Sequence, residues 1–263
     1  MKRSDIKIAL FIAFICFISG FFLLPYQLEA LKAAMPLREY EEMTGSTSMF
    51  VLMLLTSLQL FILSFLIAFF GIKLARNTGF SFEILQSLFE KRRKISINGK
   101  SMLLSIVLGA VTGFIIIGAD KFYFRSYIEG LNDITPEFSW LGLFAGVLAG
   151  GVFEETLLRL FLVSLLVLIF QKVFARKSEQ MPERYYWISI TIAALVFAAA
   201  HLPFTSLVFG DLTSMILVRC FLLNGIGGLF FGYLYWKKGF EYAVLSHMFA
   251  HISLQLLFIP LFY

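Results

Sequence analysis

The sequence predicts an all-α fold: a polytopic bundle of about seven transmembrane helices, with all 263 residues in one integral membrane domain. Apolar residues make up 59% of the chain and charged residues 15%, whereas soluble domains average about 45–50% and about 25%. The 32 phenylalanines and a mean hydropathy of +0.85 point the same way. This composition argues against a soluble enzyme, a disordered chain and a nucleic-acid-binding protein.

Seven apolar segments are candidate spans, since a helix needs about 20 apolar residues to cross the hydrocarbon core. The third is short. The fourth is too long for one perpendicular crossing, so it must tilt, protrude or break, and Gly150 and Gly151 form its natural weak point. The predicted spans are residues 8–26, 49–72, 102–118, 140–170, 187–204, 215–236 and 242–258.

The distribution of basic residues orients this predicted bundle. If the N-terminus is cytoplasmic, 16 of the 22 Lys and Arg residues fall in cytoplasmic segments and 4 in outer segments, while Arg159 and Arg219 lie within spans. Such a bias is the one that the positive-inside rule requires. We therefore expect an integral protein of a bacterial plasma membrane, embedded in its lipid bilayer, with a cytoplasmic N-terminus.

Residues 80–94, between the second and third spans, allow two interpretations. On a helix, Phe82, Leu85, Leu88 and Phe89 would share one face, and a basic cluster follows them. The segment is either an interfacial helix that grips anionic lipid or an ordinary loop that sets the topology.

Two adjacent carboxylates lie in the middle of the fourth predicted span. A charged group in hydrocarbon costs at least about 2.5–3.5 kcal/mol, so such groups are informative. Glu155 and Arg159 are four residues apart and can pair, whereas Glu154 points about 100° away and stays free. A silent, protonated Glu154 beside a purely structural ion pair is the alternative, but two acids and an arginine are costly for that role.

All three histidines of the chain lie within or at the ends of spans. His201 follows Phe197 by one turn at the end of the fifth, and taken alone it would be a helix-interface residue. His247 and His251 lie one turn apart on one face of the seventh. This spacing suits metal ligands, and it equally suits two donors aimed at one oxygen. The zincin signature HExxH is absent because Met248 stands where its Glu would be.

We expect structural roles for the other polar or small residues in the spans. Arg219 either snorkels outward or faces a cavity, and we expect it to be structural. Gly228 and Gly232 form a GxxxG pattern that lets two helices approach closely. Cys16 and Cys220 lie in apolar segments and form no CxxC pair, so no disulfide framework is expected.

Taken together, three segments resemble the CPBP family of intramembrane proteases, which includes the type II CAAX prenyl endopeptidases and many bacterial Abi-type proteins. That family carries EExxxR, FxxxH and HxxxN in this order, each on a different transmembrane helix. The resemblance covers about residues 140–255, in a motif-bearing core of about 140–258. The matching segments are Glu154-Glu155-x-x-x-Arg159, Phe197-x-x-x-His201 and His247-x-x-x-His251.

The resemblance implies an intramembrane endopeptidase whose active site lies between the fourth, fifth and seventh spans. Its substrate would be a membrane-associated protein or peptide. Prenylated CAAX proteins are the eukaryotic and archaeal substrates of the family, and the bacterial-looking layout of this chain favours an unprenylated one. The predicted site residues are Glu154, Glu155, His201, His247 and His251, with Arg159 in support.

The chemistry of these side chains fits hydrolysis. Glu154 would act as general base on a water molecule, and His201 would hold that water or share its proton. His247 and His251 would donate hydrogen bonds to the tetrahedral oxyanion in a low-dielectric cavity. The pair of Glu155 and Arg159, in turn, would hold the fourth helix in register.

His251 stands where the family usually has Asn, and this departure raises the question of a metal. An Asn amide donates a hydrogen bond but is a poor metal ligand, whereas a histidine does both. We favour a glutamate-type site that needs no metal or other cofactor. The alternative is a zinc ion held by His201, His247 and His251.

Two other functions compete with proteolysis. A proton-coupled transporter would use Glu154, Glu155, His201 and Arg219 as a relay, but the sequence has no detectable internal repeat. A catalytically silent family member would act as a membrane regulator or bacteriocin-immunity protein, and the retained Glu and His set argues against that.

Overall fold

The chain is an integral membrane protein with an all-α fold, as predicted. The computed structural model describes residues 3–45, 47–90, 94–132, 135–174 and 181–263. Within these ranges every regular element is a helix, and seven helices are long and apolar enough to cross a membrane. In chain order these spans are Arg3–Ala34, Met49–Thr78, Gly99–Ser126, Trp140–Phe174, Glu183–Phe209, Ser214–Lys237 and Phe240–Phe262.

Several spans contain more than one kind of helix, and two short helices lie between spans. The α-helices are Arg3–Ala34, Leu37–Thr44, Met49–Thr78, Glu83–Phe89, Gly99–Phe122, Trp140–Ala145, Ser164–Phe174, Glu183–Ala200, Leu202–Phe209, Ser214–Lys237, Phe240–Ser253 and Ile259–Phe262. The π-helical segments are Gly146–Glu154, Thr156–Val163 and Leu254–Phe258. The 3₁₀ turns are Phe124–Ser126 and Glu129–Leu131.

The third span is longer than the sequence predicted, because an acidic residue near its end has a partner. The prediction ended this span at Gly118, but the helix continues past Asp120. Arg219 of the sixth span donates to both carboxylate oxygens of Asp120, from Nε at 2.7 Å and from Nη2 at 2.5 Å. A bidentate pair of this kind offsets the cost of taking both charges out of water. Arg219 therefore ties the sixth span to the third, in keeping with the structural role expected for it.

The fourth span does not break at its two central glycines. It stays helical from Trp140 to Phe174 and widens into π-helical turns over Gly146–Glu154 and Thr156–Val163. A side chain at Gly151 would overlap Met248 of the seventh span. The glycine therefore allows close packing of two helices, and the π-helical turns around it are a feature that often marks functional sites.

The fifth and sixth spans meet through the predicted GxxxG pattern. A Cβ atom at Gly228 would overlap Ala194, and one at Gly232 would overlap Ile190. The prediction of a close helix contact is thus confirmed. It brings the backbone of the sixth span next to the arginine of the fourth, as described below.

The described part of the segment 80–94 contains a short helix that packs largely against the protein. The helix is Glu83–Phe89; Phe82 is buried, Leu85 and Phe89 pack against the core, and Leu88 is exposed. Most of the apolar face predicted here therefore contacts the bundle. Of the basic residues counted for the topology, those outside the described part of the chain are Lys2, Lys91, Arg92, Arg93, Arg176 and Lys177.

Candidate active site

Four of the five predicted catalytic residues line one cavity of about 100 Å³. Glu154 comes from the fourth span, His201 from the fifth, and His247 and His251 from the seventh. Side chains of the fourth, fifth and seventh spans thus line one cavity. The third and sixth spans also contribute, with lining residues that include Thr112, Leu223, Asn224 and Phe231.

Glu155 connects two of the site's helices through a single oxygen. Its side chain is fully buried, and its Oε1 lies 2.9 Å from Nη1 of Arg159, which confirms the predicted pair. The same Oε1 lies 2.8 Å from Nδ1 of His247. The sequence predicted only the first contact, because spacing within one helix carries no information about a partner 92 residues away.

Arg159 is enclosed by three groups besides Glu155. Nη2 donates a hydrogen bond to the backbone oxygen of Gly228 at 2.9 Å. The guanidinium group also lies 5.7 Å from the ring centroid of Phe197 and 5.5 Å from that of Phe231. Planar guanidinium groups suit such sites because they combine stacking on aromatic faces with directed hydrogen bonds. Phe197, the first residue of the FxxxH segment, therefore covers the buried cation.

Glu154 is held apart from this ion pair, as the helical period predicts. Its side chain retains 30% of its exposure, and its Oε2 lies 3.8 Å from Nε2 of His247. This separation is too long for a direct hydrogen bond and suits a bridging water molecule. Glu154 is thus an accessible carboxylate beside an imidazole.

His247 has a fixed orientation. Because a carboxylate only accepts hydrogen bonds, Nδ1 of His247 carries the proton that it shares with Glu155. Its ring stacks on Phe231, with centroids 4.6 Å apart, and on His251 at 5.2 Å. The stacking keeps His247 and His251 on one face, as predicted, and directs Nε2 of His247 toward Glu154.

The fifth span ends at Phe209, beyond the predicted end at Phe204, so that His201 lies within the span. The helix Glu183–Ala200 stops at His201, and a second helix continues to Phe209. Pro203 fits the first turn of that second helix, where no backbone N–H is needed. Nδ1 of His201 lies 2.8 Å from the backbone oxygen of Phe197 and donates to it, which leaves Nε2 as a hydrogen-bond acceptor.

The ring of His251 lies against the backbone of the fourth span. A Cβ atom at Gly146 or at Gly150 would overlap that ring. These glycines are needed for the approach of His251, a role that no local pattern reveals. Asn224, to which the sequence assigned no role in the site, donates from Nδ2 to the backbone oxygen of Cys220 at 2.9 Å and leaves its amide oxygen for the cavity.

The three histidines of the alternative zinc site all line the cavity. Among the described residues, no three His, Cys, Asp or Glu side chains are grouped closely enough to hold a metal ion. Arg219, which belongs to the relay considered for a transporter, is not among the residues that line this cavity and pairs with Asp120.

One protein family matches the segment that contains this site. Residues 136–253 match the family described as type II CAAX prenyl endopeptidase Rce1-like. The matched segment runs from just before the fourth span into the seventh and includes all the candidate site residues. No curated protein and no solved structure matches the chain.

Proposed function

Residues 136–253 of the chain belong to the type II CAAX prenyl endopeptidase Rce1-like family, and from this premise we propose that the protein is an intramembrane endopeptidase. It hydrolyses a peptide bond of a membrane-associated protein or peptide. The observation that carries the proposal is the separation of two adjacent carboxylates: Glu155 is buried between Arg159 and His247, whereas Glu154 opens into a cavity with the histidines.

In the proposed first step, Glu154 takes a proton from a water molecule, and the water oxygen forms a bond to the carbonyl carbon. The acceptor nitrogen Nε2 of His201 receives a hydrogen bond from the same water and orients it. The tetrahedral intermediate then collapses as the C–N bond breaks. Protonated Glu154 passes its proton to the leaving amine, so the carboxylate is restored for the next cycle.

The negative charge on the intermediate needs donors, and His247 is proposed as the principal one. Because Nδ1 of His247 already donates to Glu155, Nε2 donates only when the ring is an imidazolium. The carboxylate of Glu155 stabilises that cation. His251 then acts as a neutral ring, since two stacked imidazolium rings 5.2 Å apart would repel each other.

We propose that this chemistry needs no metal ion. Support comes from the grouping of the donors, because among the described residues no three His, Cys, Asp or Glu side chains lie close enough to hold a metal ion. The test is the metal content of protein purified without a histidine tag, with activity measured after chelation. Stoichiometric zinc whose removal abolishes cleavage, and whose return restores it, would overturn this part of the proposal.

The proposed location is a bacterial plasma membrane with the N-terminus in the cytoplasm. The charge bias of the loops supports this orientation. The substrate would be a protein or peptide of the same membrane, unprenylated rather than prenylated. Cysteine accessibility at each end of the first span, in intact and in permeabilised cells, tests the orientation.

The central experiment compares purified wild type with Glu154→Gln on a peptide library, in lipid nanodiscs. Glu42→Gln is the matched control, because Glu42 is exposed and pairs with Arg38 one turn away on a short helix between spans. We expect wild type and Glu42→Gln to cleave the same peptides, and Glu154→Gln to be inactive while it is expressed normally. Proton-coupled flux without any cleaved product would favour the transporter, and a wild type inert in both assays would favour a silent family member.

A further inference from the structure

Two larger hollows meet at Glu154 and His201, next to the small cavity of the candidate site. One is a groove of about 500 Å³ between the fourth and fifth spans. The other is a chamber of about 430 Å³ between the first, fourth and seventh spans. Glu154, His201 and Gln27 line both hollows. A chain that ran from one to the other would therefore pass the proposed general base.

The groove is apolar. Its walls are Phe153, Leu157, Phe161 and Leu162 from the fourth span and Val196 and Ala200 from the fifth. Among the described residues, the ionisable groups that line it are Glu154 and His201, which also line the small cavity. Val196 is 45% exposed, so the groove opens on the side of the bundle that faces lipid. An occupant of this groove is therefore uncharged and apolar.

The chamber has a different character. Its wall along the fourth span consists mainly of small residues, namely Gly142, Ala145, Gly146, Ala149 and Gly150, with Phe153 and Glu154 beyond them. Facing them are Tyr26 and Gln27 of the first span and Gln255 of the seventh. The Oε1 of Gln255 accepts from the backbone nitrogen of Ser139 at 3.0 Å, which leaves its amide N–H groups for an occupant. Small walls and amide groups suit a peptide backbone rather than a bulky side chain.

Gln27 lies where the two hollows join. It is half-buried on the first span, outside the segment that matches the family. A carboxamide offers one acceptor and two donors and so complements a peptide group. Peptide groups within hydrocarbon must be hydrogen-bonded, because an unpaired one costs free energy there. A bound chain that unwinds for cleavage needs such partners beside the bond attacked.

We infer that the substrate lies across this junction, with an uncharged apolar chain in the groove and its peptide backbone in the chamber, and that Gln27 is a positioning residue that hydrogen-bonds this backbone. The inference rests on the proposed function and adds the substrate's chemistry and direction. The apolar chain is a run of apolar side chains of the substrate itself, in line with the unprenylated protein or peptide proposed above. A lipid attached to the peptide is the other occupant, and the acylated peptide in the experiment tests it.

The test measures binding rather than cleavage, in the Glu154→Gln background. Three fluorescent peptides share one scissile sequence and differ beside it: a serine tract, a leucine tract, and a serine tract that bears a saturated acyl chain. Ala200→Phe fills the groove. Leu195→Phe is its control, because Leu195 lies on the same span, is 50% exposed and does not line the groove. Gln27→Leu removes the carboxamide and keeps a similar size.

We expect the leucine peptide to bind about tenfold more tightly than the serine peptide. Tighter binding of the acylated peptide alone would overturn apolar side chains as the occupant. Ala200→Phe abolishes this preference and Leu195→Phe keeps it, which separates groove binding from partition into the nanodisc. Gln27→Leu weakens all three peptides to a similar degree, and in the active enzyme it raises KM more than it lowers kcat.

An unchanged preference in Ala200→Phe, or equal binding of the three peptides, would overturn the proposal that the groove binds the apolar chain. Unchanged binding in Gln27→Leu overturns the positioning role. Either result together with normal cleavage by wild type leaves the proposed function standing. Failure of the proposed function would appear separately, as binding of the peptides by the wild type without cleavage of any of them.

Discussion

The Oε1 atom of Glu155 lies 2.8 Å from Nδ1 of His247 and so joins the fourth span to the seventh. The same oxygen lies 2.9 Å from Arg159 Nη1. One carboxylate thus orients an imidazole and neutralises a guanidinium group. Its neighbour Glu154 is left to face the cavity, so two adjacent acids in the sequence have opposite surroundings and are expected to respond differently to the same substitution.

Glu154→Gln and Glu155→Gln test this difference directly. Glu154→Gln removes the proposed general base and is expected to lower kcat by about 10²–10⁴-fold, with an unchanged melting temperature because Glu154 is partly exposed. Glu155→Gln is expected to lower both kcat and the melting temperature, since it strands the buried charge of Arg159 and releases His247. Thermal unfolding and initial rates in nanodiscs measure both effects. If the two variants lost activity with equal loss of stability, the separation of roles would be wrong.

Arg159 is expected to be required mainly for stability. Arg159→Met leaves Glu155 buried with one partner fewer, and breaking a buried pair costs about 3–5 kcal/mol. The matched control is Arg38→Met, because Arg38 pairs with Glu42 at an exposed site, where such pairs contribute about 0–1 kcal/mol. The yield of folded protein and its melting temperature measure the difference. Similar yields for both variants would contradict a structural role for the buried pair.

The sequence predicted those features of the site that depend on spacing within one helix. The pair of Glu155 and Arg159 and the shared face of His247 and His251 both follow from the helical period. Contacts between helices were missed, among them Glu155 with His247. Such contacts depend on how the helices pack, and one chain without its relatives contains no record of that packing.

The ends of the spans were also predicted imperfectly, because they too depend on contacts between helices. Hydropathy ended the third span before Asp120, because the partner that makes this carboxylate tolerable, Arg219, lies 99 residues further along the chain. It also ended the fifth span at Phe204, although a second helix follows His201. In residues 80–94 the apolar face was recognised, but a pattern of apolar residues does not distinguish lipid from protein as the surface that covers it.

The glycines of the fourth span provide a test of the packing around His251. Gly146→Ala adds a methyl group that overlaps the His251 ring, and overpacking of this kind costs about 1–3 kcal/mol. Since the ring must move, we expect lower activity as well. Gly225→Ala is the control, because a Cβ atom there meets nothing within 4 Å and alanine favours the helix by about 0.5–1 kcal/mol. Equal activity of the two variants would show that the position of His251 does not matter for cleavage.

Charge reversal of the pair of Asp120 and Arg219 distinguishes a protease from a transporter. Both side chains are largely buried, at 12% and 19% exposure, and hydrogen bonds to charged groups contribute about 1.5–3 kcal/mol each. Asp120→Arg and Arg219→Asp, made singly, place like charges together and should lower the melting temperature. The double variant restores an opposite pair and is expected to recover part of the loss. Because neither residue lines the site cavity, kcat of the double variant should stay close to that of wild type.

A relay through Arg219 predicts a different outcome. The double variant would again recover stability, but it would lose proton-coupled flux, since a carboxylate in place of the guanidinium group reverses the charge along the path. Melting temperature, cleavage rate and flux measured on the same preparations therefore assign Arg219 either to the packing of the third and sixth spans or to a conduction path.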